Sequence, residues 1–217
     1  LLEGEDVMTT AKALKDLGTE INKNSNGSWS VFGRGVGGLS ESSNVLDMGN
    51  TGTGMRLLLG LLASHPFNTI FTGDASLKMW PMDRVVLPLE RMGAVITTHS
   101  GNTLPLLVKG SDMLQPITET LKVASAQVKS AILLAGLNTR GKTTVIEPLP
   151  TRDHTENMLA VFGADISNCV DERGTVITLT GQPELHAKHI NIPGDLSSAA
   201  FPMVAALISP SEEVVIQ

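Results

Sequence analysis

The chain repeats itself, and that periodicity limits its fold more than any single motif. An apolar residue, a glycine, two further residues and an isoleucine recur at Leu17-Gly18 to Ile21, Met92-Gly93 to Ile96 and Phe162-Gly163 to Ile166. The interval is about 70–75 residues, and self-similarity at a fixed spacing implies a fold assembled from copies of one supersecondary unit. Each occurrence closes a charged segment predicted as a helix: Asp6 to Leu17, Asp83 to Met92, Asp153 to Phe162. The glycine is the left-handed cap that stops it. Each is followed by an alternating, strand-like stretch that ends in glycine: Trp29 to Gly33, Leu106 to Gly110, Val176 to Gly181.

The other half of the unit recurs as well. Thr53 to Ser64, Ala126 to Leu137 and Ser197 to Ile208 each begin on small or polar residues and run into an almost wholly apolar helix. Short strands are predicted before them at Val45 to Met48, Leu121 to Val123 and Ile190 to Ile192. Further strands are predicted after them at Thr69 to Thr72, Thr143 to Ile146 and Val214 to Ile216. The unit is therefore β-α-β-α-β-β. Leu57, Leu58, Leu59, Leu61 and Leu62 in the first of these helices, and Ile132, Leu133, Leu134, Ala135 and Leu137 in the second, leave no polar face. A helix that is apolar all round is buried all round, so the expected α/β architecture has its helices inside and its sheets outside. Half a unit (1–44) and two complete units (45–110 and about 116–181) make residues 1–187 most of one lobe. The stretch Gln182 to Lys188 is read as the crossing, and residues 188–217 as the first strand and helix of a second lobe. The opening Leu1-Leu2 and the strand-like close suggest a piece of a longer protein.

Composition removes several classes of function. Hydrophobic residues are 41% and charged residues 18% of the 217, which suits a packed domain and not a disordered one. No apolar run approaches the roughly 20 residues of a membrane helix, and no signal-peptide pattern is present. Net charge is −6 with no basic face, which argues against nucleic acid as a partner. A small anionic ligand needs only a few locally placed cations. Cys169 is the single thiol, so an internal disulfide is excluded and a reducing, cytoplasmic location is expected. His154-x-Glu156 and His186-x-x-His189 lack the spacing and third ligand of a zinc signature.

One stretch has the chemistry to hold an anion. Gly49-Asn50-Thr51-Gly52-Thr53-Gly54-Met55-Arg56 lies between a predicted strand and an apolar helix. Glycines allow close backbone approach, and the first N–H groups of the helix point outward at the positive end of its dipole. The plainer reading, a capped buried helix after a glycine turn, explains the same residues.

The motifs taken together resemble a known family. Asp47-Met48-Gly49-Asn50-Thr51-Gly52-Thr53-Gly54-Met55-Arg56, Gly73-Asp74-Ala75-Ser76-Leu77, Pro81-Met82-x-Arg84-Val85, Ala124-Ser125-Ala126-Gln127-Val128-Lys129-Ser130-Ala131 and Thr151-Arg152-Asp153-His154-Thr155-Glu156 are similar to those of the 5-enolpyruvylshikimate-3-phosphate synthases, in particular the bacterial glyphosate-tolerant class. The resemblance implies two lobes of β-α-β-α-β-β units with buried helices. It also implies transfer of the enolpyruvyl group of phosphoenolpyruvate to the 5-hydroxyl of shikimate 3-phosphate, with release of phosphate and without metal or organic cofactor. Carried over by position, Ser125, Ala126, Gln127, Thr151 and Arg152 would bind shikimate 3-phosphate. Asn50, Gly52 and Gln127 would line the phosphoenolpyruvate pocket. Ser125 could equally be an N-cap, and Arg152 a solvated arginine, although a helix start is a poor place for a cation.

This sequence departs from the family at Ser76-Leu77-Lys78-Met79-Trp80-Pro81-Met82, where Trp80 stands at the position of an arginine that holds phosphoenolpyruvate. Indole cannot replace a bidentate charge-assisted contact; Lys78 and Arg84 are the nearby cations in sequence. Tolerant relatives carry alanine where this chain has Gly52. The groups expected from a second lobe are missing, so the chain alone is expected to be inactive. Two other readings remain open. One is a lobe that binds shikimate 3-phosphate without turnover. The other is the sister enolpyruvyl transferase acting on a UDP-aminosugar, whose reactive cysteine lies in a first-lobe loop; Cys169 lies elsewhere, after the third charged helix.

Overall fold

The computed structural model describes residues 2–209. The chain opens with α1 (Glu5–Asp16), followed by the hairpin β1 (Glu20–Lys23) and β2 (Trp29–Phe32). Next come β3 (Leu46–Asp47), α2 (Gly52–Ala63), β4 (Asn68–Thr72), a single 3₁₀ turn (Leu77–Met79), α3 (Asp83–Met92), β5 (Val95–His99) and β6 (Thr103–Lys109). The same order then repeats as β7 (Thr118–Thr120), α4 (Ala126–Asn138), β8 (Lys142–Glu147), α5 (His154–Phe162), β9 (Ile166–Asp171) and β10 (Gly174–Thr180). A last helix, α6 (Leu196–Ile208), follows.

The two four-stranded sheets have one topology. In each, the first strand pairs parallel with the second, which pairs antiparallel with the fourth, and the third lies at the far edge: β3-β4-β6-β5 and β7-β8-β10-β9. Gly93 and Gly163 adopt positive φ and cap α3 and α5 as the repeat requires. Helices α2 and α4 pack on each other between the sheets. Met55, Leu58, Leu59, Leu62, Ala131, Ile132, Leu133 and Ala135 are all buried in the core they build.

The structure corrects three expectations. The strand predicted at Leu121 to Val123 lies three residues earlier, at Thr118–Thr120, because those residues are the ones in parallel register with Thr144, Val145 and Ile146. Leu121 is buried after the strand has ended, whereas Val123 is exposed, so the apolar pattern marked the exit rather than the ladder. No strand forms at Ile190 to Ile192, where no partner is offered among the described residues. The third apolar helix forms, but it is not buried: Phe201, Leu207 and Ile208 are more than four-fifths exposed. The strand expected at Val214 to Ile216 lies outside the described residues.

Two consequences can be measured. A Cβ on Gly60 would fall inside van der Waals contact of the Ala131 carbonyl on α4, with backbone that cannot swing aside. Gly60→Ala should therefore lower stability by about 1–3 kcal/mol in urea unfolding, even though alanine is the better helix former. His65 is buried just beyond α2, with Nδ1 donating to the Leu61 carbonyl (3.0 Å) and Nε2 unpartnered. Burial lowers its pKa below the ordinary imidazole value; the hydrogen bond to Leu61 works weakly the other way. The unfolded chain thus takes up a proton that the folded one resists, and stability should fall as pH drops below about 6.5. Unfolding midpoints of a His65→Gln variant should have lost that part of the pH slope.

Candidate anion-binding site at two helix starts

The start of α4 is shaped by its cap. Ser125 is extended, and its hydroxyl oxygen accepts from the Val128 amide (3.4 Å), so the capping role is real and its own proton stays free to donate. The parallel β7–β8 pairing brings the end of β8 beside this helix start. As a result Ala124, Ser125, Ala126, Gln127, Pro150, Thr151 and Arg152 line one open cavity of about 530 Å³. Every residue expected to hold shikimate 3-phosphate is among them. Arg152 is exposed and belongs to no ion pair of the described residues, at the positive end of a buried helix.

The start of α2 is built in the same way. Thr51 caps it, accepting from the Gly54 amide (3.2 Å), and Gly49 turns the chain at positive φ with Asn50 exposed behind it. Asp74 accepts from the Leu77 amide (2.7 Å) and so fastens the 3₁₀ turn that carries Trp80. Its neighbour Gly73 leaves no room for a Cβ, which would meet the Gly49 carbonyl at 2.8 Å. The turn delivers the indole onto Gly52: a Cβ there would lie 2.6 Å from Trp80 Cζ3. Gly52 and Trp80 therefore form one wall, with Asn50 two residues before Gly52 on the turn that enters α2. The edge of an aromatic ring occupies that wall.

Gln127 joins the two helix starts. Its Nε2 donates to Thr53 Oγ1 (2.8 Å), and its Oε1 accepts from Arg56. Arg56 is the residue that sequence reasoning missed. It is buried, its guanidinium stacks over Trp80 at 5.2 Å from the ring centroid, and its Nε has no partner. Burial and then repulsion from Arg84 lower its pKa from the usual guanidinium range. Arg56 is the fifth residue of α2, and a charged side chain inside an otherwise apolar helix is the signal that could have found it. The second wall thus carries the cation Arg56, and among the described residues no carboxylate pairs with it. Such a place favours an anion. Of the suggested metal pairs, His154 is exposed and Glu156 is engaged with Lys129 (2.7 Å).

The Trp80–Gly52 contact predicts a coupled effect. Gly52→Ala should push the indole off Arg56 and lower stability by about 1 kcal/mol or more, and the loss should shrink when Trp80→Ala is combined with it. In a Trp29→Phe background the emission of Trp80 should shift to the red with Gly52→Ala; an unshifted spectrum would refute the contact.

Known proteins resemble this chain in sequence and in fold. The sequence profile of EPSP synthase (3-phosphoshikimate 1-carboxyvinyltransferase) matches residues 1–217. The 3-phosphoshikimate 1-carboxyvinyltransferase of Parvibaculum lavamentivorans is 55% identical over 217 residues, covering 100% of this chain and 48% of its own length. That of Paramagnetospirillum magneticum is 56% identical over 215 residues, covering 99% and 48%. The solved EPSP synthase of Acinetobacter baumannii superposes with a TM-score of 0.86 at 46% identity, over 95% of this chain and 46% of that one. The chain spans about half the length of the curated relatives it matches, and with a family profile matched along its whole length it belongs to the EPSP synthase family.

Proposed function

We propose that this chain is the shikimate-3-phosphate-binding part of an enzyme that transfers the enolpyruvyl group of phosphoenolpyruvate to the 5-hydroxyl of shikimate 3-phosphate. In that reaction the 5-oxygen bonds to C2 of the enolpyruvyl unit, and the C2–O bond to phosphate breaks. The observation that carries the reading is the convergence of Ser125, Ala126, Gln127, Thr151 and Arg152 on one cavity. Helix-start amides, a free hydroxyl and an unpaired guanidinium suit a phosphate monoester. Phosphoenolpyruvate would lie beside it against Asn50 and Gly52, with Gln127 reaching both ligands and Arg56 held behind.

Residues 1–187 act here as most of the first lobe and residues 188–217 as the opening of the second, whose remaining groups are required for turnover. The exposed apolar face of α6 supports this division, since such a helix gains stability only when covered. The setting proposed is the cytoplasm, and among the described residues no helix is long and apolar enough to cross a membrane. A second reading, binding of shikimate 3-phosphate without turnover, is favoured by one observation: Trp80 fills the wall beside Gly52 where an anion-binding arginine is expected.

Calorimetry tests both readings. Shikimate 3-phosphate should bind the chain without phosphoenolpyruvate, and Arg152→Ala should weaken it by about tenfold or more, the worth of one charge-assisted contact. Heat from a UDP-aminosugar alone would overturn the substrate assignment. No phosphate should be released when both substrates are supplied; release above background would show that this polypeptide is catalytic by itself.

A further inference from the structure

Beneath the cavity lies a buried ionic cluster that the proposed function does not use. Lys129, on α4 one turn after Ser125, is fully buried. Its Nζ donates to Glu147 Oε2 (2.9 Å) at the end of β8 and to Glu156 Oε1 (2.7 Å) on α5. One cation thus faces two carboxylates, and Glu156 Oε2 is left without a partner. Such a cluster is a poor stabiliser compared with apolar packing of the same volume. What it does well is hold three elements in one arrangement. Those three are the elements that make the cavity.

Glu147 has a second task. Its other oxygen, Oε1, accepts from the Thr151 hydroxyl. This hydrogen bond closes the exposed loop Pro148-Leu149-Pro150 back onto the end of its own strand, immediately before Arg152. Ser130 on α4 and Thr155 on α5 share a second hydroxyl contact of 2.6 Å on the same seam. Thr151 has therefore committed its only proton to a buried carboxylate. Toward the cavity its side chain can offer lone pairs alone, which repel a phosphate oxygen.

We propose that Thr151 is a positioning residue and not an anion ligand: with Glu147 and the Lys129–Glu156 pair it straps the Pro150–Arg152 wall so that the Arg152 guanidinium faces the cavity. The ligand side of this inference rests on the shikimate-3-phosphate reading; the strap itself does not. The test compares Thr151→Val, Thr151→Ser and Glu147→Gln with the unmodified chain. Trypsin cleavage after Arg152 is measured relative to cleavage after Arg173, at the exposed turn of the β9–β10 hairpin. Loss of the strap should raise that ratio about tenfold in Thr151→Val and Glu147→Gln and leave Thr151→Ser unchanged. General loosening would raise both cuts together. An unchanged ratio in Thr151→Val overturns the proposal, including the case where that variant binds ligand poorly, since Thr151 would then be a direct ligand. The Thr151 variants keep the test open if Glu147→Gln does not fold. For shikimate 3-phosphate, affinity should fall about tenfold in Thr151→Val and be retained in Thr151→Ser; equal affinity in both overturns the positioning role. If the unmodified chain binds no shikimate 3-phosphate, the reading of the cavity fails, while the trypsin ratio still decides the strap.

Discussion

The contact between α2 and α4 is the constraint on which the rest depends. The two helices run side by side in the same direction. At their starts Gln127 reaches Thr53, and at their ends Asn138 Nδ2 donates to Ser64 Oγ (2.8 Å); both pairs are 74 residues apart. The repeat in the sequence is thus also a pairing in space, with the start of one helix beside the start of the next and end beside end. Gly60 lets α2 approach the backbone of α4 closely enough for this. Parallel packing places two positive dipole ends together, which is unfavourable for the helices alone. An anion at that end offsets the cost. The closeness of the two helix starts and their suitability for an anion are two consequences of one arrangement.

The same constraint explains why the two walls share Gln127. With the starts fixed side by side, one amide spans from the α4 cavity to Thr53 and Arg56 on α2. Arg56 tolerates burial because Gln127 accepts from it and Trp80 covers its face. Neither neighbour carries a negative charge, so its charge stays uncompensated and available to a ligand.

Much of this was legible before any coordinates. The helix caps at Gly93 and Gly163, and the apolar helices that start at Gly52 and Ala126, emerge from period and glycine placement, since both are local backbone requirements. The convergence of Ser125 and Arg152 was legible only through motif resemblance, because 27 residues of chain separate them and register alone brings them together. What escaped was whatever depended on tertiary partners. Leu121 and Val123 looked like a strand, but pairing with β8 selected Thr118–Thr120. Glu156 read as a charge of an amphipathic helix, yet it is buried, as are Arg56, Lys129 and Glu147, for which the sequence offered no burial signal. Their burial depends on partners from other elements: Gln127 for Arg56, and the Lys129 ammonium for Glu147 and Glu156.

Gly52 takes on a different meaning in this chain. The sequence resemblance sets it against an alanine in tolerant relatives. Here the missing methyl is already required by the protein itself, because the ring edge of Trp80 occupies that space. Glycine and tryptophan at these two positions are therefore one structural choice. The indole shields Arg56 and closes over the α2 start, at the loss of a charged donor on that wall. The α4 cavity keeps the hydroxyl of Ser125, the amide of Gln127 and the guanidinium of Arg152 regardless. What distinguishes the two helix starts is then the α2 wall alone, where a flat neutral ring covers the Arg56 guanidinium.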